Sequence, residues 1–125
     1  MSTPVALVVD DDEDIRAITE LALARVGGWE VVTADRGARA LEIARERKFS
    51  VILLDLMMPQ MDGIETASRL LADPATADVP IILVTAKAMI GDAQPWDGVA
   101  IAGVIPKPYN PMTLAADVSA MLGWA

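Results

Sequence analysis

Val51-Ile52-Leu53-Leu54-Asp55-Leu56-Met57-Met58-Pro59 sets four apolar residues directly against an acid and then runs into a proline. A run this short and this solidly apolar reads as a strand covered on both faces, because a strand with one wet face would alternate polar and apolar residues. Val5-Ala6-Leu7-Val8-Val9 and Ile81-Ile82-Leu83-Val84 have the same character. Val31-Val32-Thr33 is a weaker strand candidate and Val104-Ile105 a short last one.

Segments of helical period lie between these runs. The first covers about Glu13 to Val26, with Ile15, Ile18, Ala22 and Val26 down one side and Gly27-Gly28 as the stop. The second covers about Arg36 to Arg47, with Leu41 and Ala44 inward, and the third about Gly63 to Leu71. The last opens at Asn110-Pro111, an N-cap residue followed by proline at the first helical position, and runs to Gly123. Residues 87–102 are interrupted by Gly91, Pro95 and Gly98, which predicts a short or broken fourth helix. Strands alternating with helices give an α/β domain with a parallel sheet and right-handed crossovers.

The bulk composition narrows the chemistry. A chain of 125 residues is expected to form one domain, residues 1–125, with no second module of comparable size. It has no cysteine and no histidine, which excludes disulfides, thiolate chemistry, imidazole ligation and Ser-His-Asp catalysis. The formal net charge of −8 argues against nucleic acid as a direct partner. The N-terminus lacks the pattern of a signal peptide, and the apolar runs are too short to span a bilayer, so no membrane association and a cytoplasmic location are expected.

In open parallel sheets ligands gather outside the carboxyl ends of the strands, where the strand order reverses. The first strand here ends in Asp10-Asp11-Asp12, the third in Asp55, the fourth in Thr85, and the fifth runs into Lys107-Pro108. With a strand order of 2-1-3-4-5, Asp10, Asp11 and Asp55 converge, and such a set of acids is costly without a cation. Oxygen-only ligation suits a hard ion such as Mg²⁺. Lys107 adds a second positive charge and Thr85 a hydroxyl donor. Positioning and charge neutralisation of this kind are what phosphoryl transfer to a carboxylate requires. A site for a preformed phosphate would instead place Gly, Ser or Thr after the first strand. The acids have plainer readings too, since Asp12, Glu13 and Asp14 suit a helix N-terminus.

Val8-Val9-Asp10-Asp11, Leu53-Leu54-Asp55-Leu56-Met57-Met58-Pro59, Met61-Asp62-Gly63, Val84-Thr85-Ala86 and Lys107-Pro108, in this order and at these separations, resemble the signature of bacterial response-regulator receiver domains of the stand-alone type. The resemblance runs from about Pro4 to Leu122 and implies a flavodoxin-like (βα)5 doubly wound parallel sheet of order 2-1-3-4-5. It implies that Asp55 is the phosphoacceptor, that Asp10, Asp11, Asp55 and the backbone carbonyl of Met57 hold Mg²⁺, and that Thr85 and Lys107 contact the phosphoryl group. It also implies a cis Lys107–Pro108 peptide. The implied partners are a sensor histidine kinase or histidine phosphotransfer protein as donor, a downstream protein target, and a second copy in phosphorylation-linked homodimers. The output surface would be the fourth helix, fifth strand and last helix, with apolar area from Ala88, Met89, Ile90, Val99 and Ile101.

Some residues depart from the family pattern. Val104 stands where many receivers carry a switching aromatic, Pro106 precedes the Lys on an expected edge strand, and Gly103 reads as a local turn. Tyr109, the one tyrosine, suggests packing. The methionines read as core filler, whereas Trp96 and Trp124 fall in segments poor in neighbouring apolar residues, which leaves a surface-anchor role open beside ordinary packing. Two alternatives stand beside the switch: a pseudo-receiver that binds without phosphorylation, and a small Asp-nucleophile phosphatase. The phosphatase chemistry wants an acid two residues after the nucleophile, where this chain has Met57.

Overall fold

The computed structural model describes residues 3–86 and 94–124. Five strands, β1 (Val5–Val9), β2 (Glu30–Ala34), β3 (Val51–Asp55), β4 (Ile81–Thr85) and β5 (Gly103–Pro106), form one sheet in the order β2-β1-β3-β4-β5. Every pairing is parallel, with Val9 beside both Ala34 and Leu54, and Asp55 beside Val84. Four α-helices are present among the described residues: α1 (Glu13–Leu21), α2 (Gly37–Glu46), α3 (Gly63–Ala72) and α4 (Leu114–Met121). This is the doubly wound sheet the apolar runs predict. β3 and β4 are buried along their whole length, as two-face coverage requires.

The core lies in two layers. One face of the sheet packs Leu7, Ile52, Leu54 and Leu83 against Ala40 and Ile43 of α2 and Ala67 and Leu70 of α3. The other packs Val8, Leu53 and Ile82 against Leu23, Leu114 and Val118. Alternate residues of each strand serve opposite layers, so neither face of the central strands tolerates a charge until the strand ends at Asp10 and Asp55.

Several local expectations change. The first helix does not run as one α-helix to Val26: its last turn, Ala22–Val26, widens to π-type hydrogen bonding. Its inward residues are Thr19, Ala22 and Leu23, whereas Ile18 and Val26 are about half exposed. The last helix starts at Leu114, later than Asn110-Pro111 suggests. The Asn110 carboxamide oxygen accepts from the Met112 N–H, closing a separate turn first. Gly103 is the first residue of β5 rather than a turn, and the Met121 side chain lies over it, so that a Cβ there would stand 2.2 Å from the Met121 sulfur and would displace that flexible side chain. Residues 95–98 form a turn, and no helix occurs within 94–102. The rest of the expected fourth helix, with Lys87, Ala88, Met89 and Ile90, lies outside the described residues.

Trp96 packs on the first core layer, with Val99 and Ile101, instead of standing out as an anchor. Trp124 meets Trp29, with ring centroids 5.4 Å apart and tilted by 58°. Isolated rings in a sequence gain cover from residues far along the chain, which local reading cannot foresee. The methionines divide: Met58 is buried, but Met57, Met112 and Met121 are exposed.

Helix α3 is seated by glycine. The Asp62 carboxylate caps it by accepting the Glu65 N–H at 2.9 Å, and the Gly63 N–H donates to the Leu56 carbonyl at 2.9 Å. A Cβ on Gly63 would lie 2.5 Å from the Asp55 carbonyl oxygen. Backbone cannot yield as a side chain can, so Gly63→Ala should destabilise the fold by about 2–3 kcal/mol in urea denaturation.

Candidate functional site

The carboxyl ends of β1 and β3 are adjacent because the two strands pair directly, so their terminal acids meet. Carboxylate oxygens of Asp10, Asp11 and Asp55 all lie within 4.8 Å of one another, with Asp10 and Asp55 buried and Asp11 exposed. The Asp10 carboxylate accepts the Asp12 N–H at 2.9 Å, and Asp12 in turn caps α1 by accepting from Asp14 and Ile15. The acids after β1 thus divide their work: Asp12 belongs to the helix, while Asp10 and Asp11 face the pocket.

Lys107 enters from the neighbouring edge. Its N–H donates to the Thr85 carbonyl at 2.8 Å, and its Nζ lies 3.0 Å from Asp10 Oδ2 and 3.3 Å from Asp55 Oδ1. The Lys107–Pro108 peptide is cis, as expected. Thr85 is buried at the end of β4, the strand that pairs with β3. Met57 donates its N–H to Asp55 Oδ1 at 3.4 Å, and its side chain is exposed beside the pocket. The structure therefore gathers Asp10, Asp11, Asp55 and Lys107, with Thr85 and Met57 on the segments beside them.

The electrostatics follow from this crowding. Burial, and next the charge of Asp10, push Asp55 up to about 6, against the counter-pull of Lys107. For Lys107 burial acts to lower the pKa, but the hydrogen bond to Asp10 and the charges of Asp55 and Asp10 outweigh it, leaving the ammonium above its ordinary value. Burial likewise pushes the Tyr109 hydroxyl up, in spite of its hydrogen bond with Thr19. The chemistry of the donor set fits a hard divalent cation: carboxylate oxygens close enough to share one ion, with no nitrogen or sulfur ligand.

Two contacts carry no sequence signal. Arg16 donates from Nη1 to the Asp10 backbone carbonyl at 2.8 Å. Thr19 and Tyr109 are joined through their hydroxyls across ninety positions of the chain. Neither has a helical or strand spacing that could announce it.

The Response regulator receiver domain family matches residues 6–119. This chain belongs to that family. Among curated relatives, the receiver is similar to the phosphate regulon transcriptional regulatory protein PhoB of Pseudomonas aeruginosa, 38% identical over 93% of this chain and 50% of that protein. It is similar also to the transcriptional regulatory protein PrrA of Mycobacterium tuberculosis, 36% identical over 98% of this chain and 51% of that one. The receiver spans about half the length of the curated relatives it matches. Among solved structures, the Vibrio cholerae chemotaxis protein CheY4 superposes with a TM-score of 0.87 at 31% identity, covering 96% of this chain and 99% of that one. The receiver is thus a phosphoacceptor domain of the two-component response-regulator kind. No helix among the described residues is long and apolar enough to cross a membrane.

A raised carboxylate pKa means that the folded state holds its proton more tightly than the unfolded chain. In the metal-free receiver the Asp55 contribution to stability should therefore fall as pH rises from about 4 through about 6, and level off above. The cost at neutral pH is on the order of 3 kcal/mol. Asp55→Asn should be more stable than the parent at pH 8 in EDTA, with the difference vanishing near pH 4, as read by urea denaturation at each pH.

Proposed function

We propose that Asp55 is the residue that accepts the phosphoryl group, from a phosphohistidine on a sensor histidine kinase or histidine phosphotransfer protein. The convergence of Asp10, Asp11 and Asp55 within 4.8 Å, with Lys107 in reach of Asp55, is the observation that carries this reading. A carboxylate oxygen of Asp55 forms the new O–P bond as the N–P bond of the donor breaks, and the imidazole leaves and takes up a proton. Asp10, Asp11, Asp55 and the Met57 carbonyl would hold Mg²⁺, which when bound offsets the negative charge on the transferring oxygens. Lys107 pairs with the phosphoryl group, and Thr85 donates its hydroxyl to a phosphoryl oxygen. Lys107 already bridges Asp10 and Asp55, so it can follow the new charge without a large movement of the loop.

With Val104 in place of an aromatic, the output rests on rearrangement of the surface around the segment before β5, β5 itself and α4, read by a separate protein target or by a second copy of the receiver. The net charge of −8 disfavours nucleic acid as the direct target. Incubation with acetyl phosphate and Mg²⁺, followed by intact mass, should add one phosphoryl group, and Asp55→Asn should abolish it. Mg²⁺ should raise the melting temperature of the parent, with a rise that grows as the logarithm of its concentration above the dissociation constant, and Asp11→Asn should shift that rise to at least tenfold higher Mg²⁺ concentration. No addition to the folded parent would favour a phosphorylation-independent binding module, and sustained turnover would favour a phosphatase.

Met57, two residues past Asp55, offers an attacking water no polar side chain. The phosphorylated form should therefore last minutes or longer, and Met57→Asn should shorten its lifetime several-fold in a quench time course. A parent lifetime of seconds would overturn this role for Met57.

A further inference from the structure

The loop that carries Lys107 leaves the sheet at an edge. β5 ends at Pro106, and Pro108 and Pro111 have no N–H with which to anchor the backbone that follows. A mostly apolar cavity of about 400 Å³, bordered by Ile15, Ile18, Pro108 and Pro111, opens between α1 and this loop. Packing alone therefore leaves the loop thinly supported where its lysine must be aimed within hydrogen-bond reach of Asp55.

A hydrogen bond crosses the gap. The buried Thr19 hydroxyl donates to the Ile15 carbonyl at 2.8 Å, one turn back in α1. A hydroxyl has one proton to give, so its oxygen accepts from the Tyr109 hydroxyl, and Tyr109 is the donor. Its ring packs on the same core layer as Leu23, Leu114 and Val118. The tether thus joins α1, whose N-terminal cap Asp12 is itself bonded to Asp10, to the residue two places beyond Lys107.

We propose that Tyr109 is a positioning residue: its hydroxyl, held by Thr19, fixes the Lys107 loop against α1 and so sets the place of the ammonium group between Asp10 and Asp55. The proposal rests on the reading of Asp55 as acceptor and Lys107 as its partner. A shift of about an ångström at such a group is enough to cost phosphoryl transfer heavily, because the chemistry is mainly placement of charge.

The test measures the rate of phosphorylation by acetyl phosphate and, separately, the Mg²⁺ dissociation constant in Tyr109→Phe, Thr19→Val, the double variant and Thr19→Ser. Tyr109→Phe and Thr19→Val should each slow phosphorylation about tenfold, and the double variant should be no slower than either, since both remove one bond. Thr19→Ser, which keeps the hydroxyl, should restore the rate to within about twofold of the parent, and Mg²⁺ binding should not weaken in any variant, because the loop carries no carboxylate and an ammonium moved away from Asp10 and Asp55 only removes a competing positive charge. General loosening of the fold would instead weaken Mg²⁺ binding along with the rate. A parental rate in Tyr109→Phe, additive losses in the double variant, or weakened Mg²⁺ binding would each overturn the proposal. If Tyr109→Phe does not fold, Thr19→Val and Thr19→Ser decide it alone. Failure of the underlying reading looks different: Asp55→Asn would still be phosphorylated, or Lys107→Ala would react at the parental rate.

Discussion

Carboxylates drawn to one point by the backbone repel one another, and the upper end of this sheet is organised around that repulsion. Asp10 and Asp55 arrive there because β1 and β3 are hydrogen-bonded neighbours whose side chains must turn from core to solvent at the same level. Their charge is relieved in part by Lys107, which reaches both. The relief is incomplete, since Asp55 remains pushed up to about 6. A pocket left short of positive charge has an affinity to spend on a divalent ion and then on a dianionic group that brings further neutralisation with it.

The apolar part of the molecule makes this arrangement affordable. Strands β3 and β4 are covered on both faces, so the stability of the sheet does not depend on the polar end, and the acids can be kept in an unfavourable state. Gly63 brings the start of α3 against the carbonyl of Asp55, and Gly103 admits Met121 against β5. Gly63 exchanges side-chain bulk for closeness of backbone beside the acids, and Gly103 leaves room for the Met121 side chain on β5. The lysine depends on a weaker frame: an edge strand, two prolines, and a hydroxyl bond to α1.

Much of this was legible along the chain. Solid apolar runs announced the strands, and the acids, threonine and lysine were readable because each follows such a run directly. The misreadings have a common source. Ile18 and Val26 satisfy a helical period yet stand half exposed, since a period defines a stripe without saying which stripe is covered, and the π-type turn shifts the phase. Trp124 seemed bare because its cover, Trp29, lies far back in the sequence. Gly103 resembled a turn because glycine marks turns and close approaches alike, and only the position of Met121 distinguishes them.

Local chemistry, then, determined by itself that the apolar runs are strands, which polar residues follow them, and that the reactive groups had to be oxygens and an ammonium in a chain with neither histidine nor cysteine. These are matters of side-chain type and near-neighbour spacing, which a linear text preserves. The tertiary structure alone decided that Lys107 lies between Asp10 and Asp55 rather than in water, that Arg16 braces the carbonyl of Asp10, and that Thr19 receives the hydroxyl of Tyr109. Such contacts join positions tens of residues apart through angles and distances of an ångström or two. No pattern along the chain encodes them, because they exist only once the two core layers have closed.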